Sequence, residues 1–326
     1  GRAKGFSVQM DTTTRATAIG MLAPILWGMS VGMMRGITEN LGVSAGIMVV
    51  YLIAFFAVLL FFGRPNFRAF NPKYLVFGVG SANLSAVCFV FSLAISDGGH
   101  QTMEVGMVNY LWPCLTILFA ILFNGQKAHW WVVIGLVMCL MGVVIVLGGD
   151  KGFDPEALLA NIRHNPWCYA LAATGALLWA AYCSFTRALS NGQNPVVIIF
   201  AVDALIFALV WLLDLGPAPV ANPHGFGWMG VVITALATGC GYSCWTYGMM
   251  KGHMTLLAIV SYFTPVLSCL FGNLILDAQL GSSFWSGVLI LVAGSFVCWL
   301  ATRVKAGPAA RPGKVLFKGS DAGRGR

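Results

Sequence analysis

The chain has 326 residues, of which 58% are hydrophobic and 9% charged, and its formal net charge is +8. A soluble chain carries about a quarter charged residues to keep its surface hydrated, so these proportions exclude a water-soluble globular protein. Charge-poor runs of about twenty residues match the helix length that crosses roughly 30 Å of hydrocarbon, and exclude a transmembrane barrel with its strands of about ten alternating residues.

Ten spans are predicted in chain order, at about 16–34, 42–63, 74–96, 103–125, 129–149, 166–186, 196–214, 226–250, 254–276 and 284–302. The breaks hold turn and charge signals: RPNFRAFNPK (64–73), SDGGHQ (96–101), FNGQK (123–127), GDKGFDPE (149–156), SNGQNP (190–195) and GPAPVANPHG (216–225). Span 1 follows Arg15 as the apolar core of a secretory signal follows its basic residue. It takes part in an internal repeat, however, and is read as part of the mature fold; it carries Trp27 and ends at Arg35.

Span 3 contributes the polar groups of Asn83 and Ser85. Span 4 opens with Glu104 after Thr102, where a carboxylate complements the positive end of a helix; ion coupling is its alternative use. Asn109, Trp112 and Thr116 then recur at helical spacing beside Tyr110 and Pro113. Span 6 holds Trp179, Tyr182 and Arg187. Span 7 holds Asp203, the one acid well inside a span, which is either a proton-coupling group or a carboxyl kept protonated or hydrogen-bonded by a neighbour. Tyr242, Trp245 and Tyr247 lie in span 8, and Tyr262 and Pro265 in span 9.

Lysine and arginine placement sets the orientation. With the N-terminus in the cytoplasm, 16 of the 19 fall on cytoplasmic segments and only Arg35, Lys151 and Arg163 fall outside, which predicts that both termini are cytoplasmic. The charge of +8 is this bias and not a nucleic-acid footprint. Residues 304–326 are basic and rich in Gly and Pro, and are predicted to be a disordered cytoplasmic tail able to touch anionic lipid. The nine cysteines lie inside or at the edge of spans, where no oxidising compartment pairs them. Cys240 and Cys244 share a helix face but lack His or acid partners for zinc, so no metal or cofactor is expected.

A sliding comparison exposes an internal repeat. Trp27 and Arg35 match Trp179 and Arg187; Tyr110 and Pro113 match Tyr262 and Pro265; Gly135 and Gly142 match Gly287 and Gly294, all at an offset of 152 residues. Gly28, Gly32 and Gly36 align with Ala180, Ser184 and Ala188, a small-residue stripe that lets helices approach closely. Likewise Asn109, Trp112 and Thr116 align with Ser261, Thr264 and Ser268. Five helices per repeat is an odd number, so the second copy enters from the opposite side. The predicted order is a cytoplasmic segment 1–15, a first five-helix repeat 16–149, a periplasmic linker 150–165, a second repeat 166–303 and the tail. Inverted repeats of this kind occur in secondary transporters, with substrate bound at the repeat interface near the midplane.

Each repeated Trp lies eight residues from its Arg, about 12 Å along a helix, hence near the bilayer centre. Trp27, Tyr110, Trp112, Trp179, Tyr182 and Tyr262 gather at this level, with Asn83 adding an amide. Such a lining suits a flat, partly apolar, uncharged or zwitterionic solute; packing against core or lipid is the alternative use of each ring. Pro113 and Pro265 each free a carbonyl at depth and mark either flex points or simple kinks. Arg35 and Arg187 serve as outer and inner gates or as interfacial anchors. No Lys or Arg lies deep in a span to meet a phosphate, and no carboxylate relay is present.

Ten spans as five plus five inverted repeats resemble the drug/metabolite transporter superfamily, specifically its EamA-type exporters, and the run EVGMVNYLWP (104–113) is similar to the aromatic amino acid exporters among them. The resemblance covers about residues 16–303. It implies that helices 1, 3, 4, 6, 8 and 9 line a central cavity, with helices 5 and 10 behind. On that implication Trp27, Asn83, Tyr110, Trp112, Trp179 and Tyr262 belong to the wall, and the activity is export of aromatic and other amino acids or related metabolites across the bacterial inner membrane. A membrane enzyme would need convergent catalytic groups, whereas the five histidines sit on separate loops. A channel would need a ring of carbonyls or charges, which the sequence lacks.

Overall fold

The structure is a computed structural model and describes residues 11–29, 37, 42–148, 154–215, 228–267, 270–271 and 281–303. Arg35, Gly32, Gly36, Ser268 and the segment 304–326 lie outside the described residues. Every regular element described is helical. The helices are α1 (Thr12–Gly20, with helical turns continuing over 22–29), α2 (Val43–Phe62), α3 (Tyr74–Ala94), α4 (Gly98–Asn109), α5 (Trp112–Phe123) and α6 (Val132–Gly148). They continue as α7 (Pro155–His164), α8 (Pro166–Leu189), α9 (Val196–Leu212), α10 (Trp228–Lys251), α11 (Met254–Ser261) and α12 (Ser282–Thr302).

Local chemistry explains the boundaries. Gly63 ends α2 at φ 72°, a left-handed conformation that costs glycine nothing. In α7 the Asp154 carboxylate accepts from the amides of Glu156 and Ala157 at 3.0 and 3.1 Å, and Pro155 fills the first turn. The sequence reading assigned only a linker to this segment. Predicted span 4 is two helices, because the chain turns at Tyr110–Leu111 between α4 and α5. The same turn recurs 152 residues later at Tyr262–Phe263, after α11. At both places a proline three residues beyond the tyrosine lacks the N–H that the carbonyl four residues earlier, of Asn109 or Ser261, would accept.

Five described helical stretches are long and apolar enough to cross a membrane: Ser44–Phe62, Tyr74–Ala94, Glu104–Phe123, Pro166–Leu189 and Ser282–Thr302. Large apolar side chains face outward, with Leu60 and Phe61 each 86% exposed and Leu289 71%. A surface of this kind is solvated by lipid tails and not by water, so the chain is a multi-pass membrane protein. By contrast α10 buries Thr234, Thr238, Ser243 and Thr246, as expected of a helix in the protein interior.

The packing pairs reflect the repeat. α2 packs on α9, α5 on α11, and α6 on α12; α1 packs on α10 and α3 on α8. Exchanging each helix for its counterpart 152 residues away maps this set onto itself. The α6–α12 contact depends on bare backbone. A Cβ at Gly142 would lie 2.8 Å from the Gly287 carbonyl oxygen, and one at Gly294 would lie 2.8 Å from the Cys139 amide nitrogen. Backbone cannot step aside as a flexible side chain can, so Gly294→Ala is expected to cost about 1–3 kcal/mol of overpacking strain. Thermal unfolding in detergent would register it as a lowered midpoint; an unchanged midpoint would mean that the helices separate freely.

Candidate functional site

Of the buried side-chain clusters among the described residues, two divide the predicted aromatics between them. In the first, the Trp27 ring meets four others: Trp112 at 6.5 Å, Trp179 at 6.0 Å, Tyr242 at 5.8 Å and Trp245 at 5.4 Å. Trp112 lies 5.4 Å from Trp245 and 6.3 Å from Trp179, edge to face in both cases. These rings come from the continuation of α1 and from α5, α8 and α10, so both halves of the sequence contribute. Edge-to-face pairs use the positive ring edge against the negative face and are worth about 0.5–1.5 kcal/mol each beyond area burial.

Two hydrogen bonds fix the cluster. The Trp245 indole N–H donates to the Cys183 sulfur at 3.3 Å, and the Tyr182 hydroxyl pairs with Thr246 at 2.7 Å. Gly241 leaves room for Trp27, since a Cβ there would stand 2.6 Å from the indole nitrogen. Gly241 was not singled out from the sequence, and Tyr242 and Trp245 were noted only as span 8 aromatics. A glycine one turn before a tryptophan was the available signal, but it does not say which ring approaches.

Tyr110 and Tyr262 belong to the second cluster, with Ile117, Cys139, Leu291 and Cys298, beside the α6–α12 pair. Tyr262 is fully buried there, so the turn at each proline carries its tyrosine away from the tryptophan cluster. The polar stripe also turns on itself: Thr116 donates to the Trp112 carbonyl at 2.8 Å, and Ser261 to that of Ala258 at 2.6 Å.

Asn83 is not on a free wall. Its amide donates to an Asp203 carboxyl oxygen at 2.7 Å and to the Ile199 carbonyl at 2.9 Å, tying α3 to α9. Both side chains are buried. Ser85 likewise ties α3 to α8, donating to the Gly175 carbonyl at 2.7 Å.

Glu104 differs from its predicted place. Its helix begins at Gly98, so the carboxylate sits nearly two turns in, where the charge of a helix terminus has faded. It accepts instead from the Tyr169 hydroxyl at 2.5 Å and the Asn161 amide at 3.1 Å, binding α4 to α7 and α8. Nearby, Asn165 donates to the Ile95 carbonyl at 2.8 Å and to Gln101 at 3.1 Å. Glu104→Ala is expected to lower stability by about 1–3 kcal/mol, because the buried Tyr169 hydroxyl and the part-buried Asn161 amide lose their acceptor. A denaturation series against wild type and Tyr169→Phe checks this, and additive losses would show that the pair does not interact.

Arg187 donates from one guanidinium nitrogen to the carbonyls of Met250 at 3.1 Å, in the last turn of α10, and Gly252 at 2.8 Å, just past its end. A cation there satisfies carbonyls left over at a helix C-terminus and complements its negative end. Two neighbours on the same α8 terminus hold other helices. Thr186 pairs with Tyr74 of α3 at 2.9 Å, and Ser184 donates at 2.7 Å to Asn124, which follows α5. Four helix ends are thereby gathered at one point.

An apolar exterior around an interior aromatic cluster fed by both halves defines a polytopic membrane protein. The chain belongs to the EamA-like transporter family, whose pattern it matches twice, over residues 14–148 and 166–300. It is therefore a transporter and not an enzyme. It is 39% identical over 292 residues to the aromatic amino acid exporter YddG of Salmonella typhimurium, and equally to that of Escherichia coli K12; each match covers 90% of this chain and 99% of the relative. A protein of the same name from Ancylobacter novellus is 31% identical over 205 residues, covering 61% of this chain and 68% of that one. One crystal structure superposes with a TM-score of 0.69 at 25% sequence identity, covering 90% of this chain and 99% of that chain.

Proposed function

We propose that the protein exports aromatic amino acids, together with other amino acids or related small metabolites, across the bacterial inner membrane by alternating access. The observation that carries this reading is the convergence of Trp27, Trp112, Trp179, Tyr242 and Trp245 from both halves of the chain. An indole or phenyl ring entering between them replaces one edge-to-face contact with another, so the site recognises aromatic solutes at little cost in desolvated polar groups. The relatives named as aromatic amino acid exporters support both the substrate class and the outward direction.

Ten spans in two inverted halves, with both termini in the cytoplasm, complete the proposed architecture. The repeat-related turns before Pro113 and Pro265 serve as flex points, since a helix already interrupted there bends without losing further hydrogen bonds. Arg187 closes the inner end through its carbonyl contacts, and Arg35, its repeat counterpart by sequence, is assigned the outer end. Tyr110 and Tyr262 support the flex points from behind.

The test is uptake of labelled tryptophan, phenylalanine, threonine and a sugar phosphate into liposomes that contain the purified protein. Saturable flux of the aromatic amino acids without the phosphate is expected. Flux of amphipathic drugs alone would move the assignment to drug export, and a covalently altered product would refute transport.

A further inference from the structure

We propose that the Asp203 carboxyl is the proton-binding group that couples export to inward proton movement, and that Asn83 is its positioning residue; this rests on the transport reading above. Asp203 projects from α9 in the second half of the chain and Asn83 from α3 in the first, so their 2.7 Å contact lies between helices of the two halves. Asp203 is fully buried, and only one of its oxygens is satisfied. The other has no hydrogen-bond partner among the described residues.

Among the described residues, the surroundings supply no counter-charge. The helices packed on α9 are α2, α3 and α10. Among the described residues, the titratable groups on these helices that interact with Asp203 are the phenols of Tyr51 from α2 and Tyr242 from α10, while α3 supplies the neutral Asn83. A carboxylate with one N–H donor and no cation is strongly disfavoured away from water. Charge at Asp203 therefore requires a second donor or water at its free oxygen, which only a rearrangement of these helices brings. Proton occupancy and conformation are linked, and that linkage is what coupling requires.

The substrate cluster reaches this carboxyl through one ring. Tyr242 lies 5.2 Å from Trp179 and 5.8 Å from Trp27, and on its other side 5.1 Å from Phe200 of α9. A solute that parts the tryptophans displaces Tyr242 and changes what faces Asp203. The repeat is also broken here. The counterpart of Asp203 at 152 residues is Tyr51, and that of Asn83 is Ala235. One acid per chain gives one proton per cycle. An O–H bond forms at Asp203 while the site is open outward and breaks while it is open inward. One zwitterionic amino acid moves out for each proton moving in.

The test uses the full chain in liposomes, with the membrane potential clamped to zero and equal tryptophan on both sides. An imposed pH gradient should drive labelled tryptophan into the acidic compartment, towards about tenfold accumulation per pH unit. In Asp203→Asn the ratio should stay at one, whatever exchange rate remains. Infrared spectra give an independent reading. The wild type should show an acid C=O stretch that titrates with pH and is missing in Asp203→Asn. In Asn83→Ala the same band should move to higher frequency, because its hydrogen-bond donor is gone. Tryptophan exchange that ignores the gradient would overturn the coupling and leave transport standing. Absence of exchange in folded wild type would sink the transport reading, with the proton site then decided by the infrared band. A missing or pH-independent band overturns the proposal.

Discussion

Trp27→Ala should raise the KM for tryptophan about tenfold to a hundredfold, the loss expected when a central aromatic anchor worth on the order of 2 kcal/mol is truncated. Among the described residues, Trp27 is the only ring that touches all four of Trp112, Trp179, Tyr242 and Trp245. Its removal leaves only the chain of contacts Trp245–Trp112–Trp179–Tyr242 among the four. Trp27→Phe keeps a ring face and should retain most of the affinity. Gly241→Ala separates site geometry from lost volume. The new methyl would stand 2.6 Å from the Trp27 indole nitrogen and 2.9 Å from the adjacent ring carbon. Four neighbouring rings leave Trp27 little room to retreat, so this small change should approach the KM defect of Trp27→Ala. Initial-rate uptake in liposomes, beside a melting curve for each variant, decides the matter. A Gly241→Ala protein with wild-type KM would show that the ring position is immaterial.

Arg187→Ala should open the end of the molecule where four helices are gathered. The carbonyls of Met250 and Gly252 lose their shared donor; water can reach the exposed Met250 carbonyl, whereas the part-buried Gly252 carbonyl left unpaired costs about 1–3 kcal/mol. A natural reporter lies one turn away. The Cys183 thiol is fully buried beneath Trp245, four residues before Arg187 on the same helix. Maleimide labelling of Cys183, mapped by mass spectrometry, should rise at least tenfold in the variant, since about 1.4 kcal/mol suffices for that change in open population. Arg187→Lys should rescue only part of it. An ammonium is a strongly hydrated point charge without the planar fork of donors that guanidinium offers. Equal labelling of wild type and Arg187→Ala would end the gate assignment and leave Arg187 as a simple helix cap.

The membrane-crossing helices, the offset of 152 and the two turns were legible because each depends on local properties: the length of an apolar run, the spacing of tryptophan from arginine, and the missing N–H of a proline. The start of α7 was legible too, in Asp154, Pro155 and Glu156, although it went unused. What the sequence could not show was the rotation of each helix. A soluble helix reveals its buried face by its polar one, but a membrane helix is apolar all round and carries no such mark. Tyr110 and Trp112 are two residues apart and were expected in one lining, yet they entered different clusters. Asn83 and Asp203, 120 residues apart, became partners only when α3 and α9 were packed together. Local composition therefore determined which segments enter the membrane. Tertiary packing alone decided which rings meet, which glycine makes room for them, and which carboxyl is left half satisfied between the two halves of the chain.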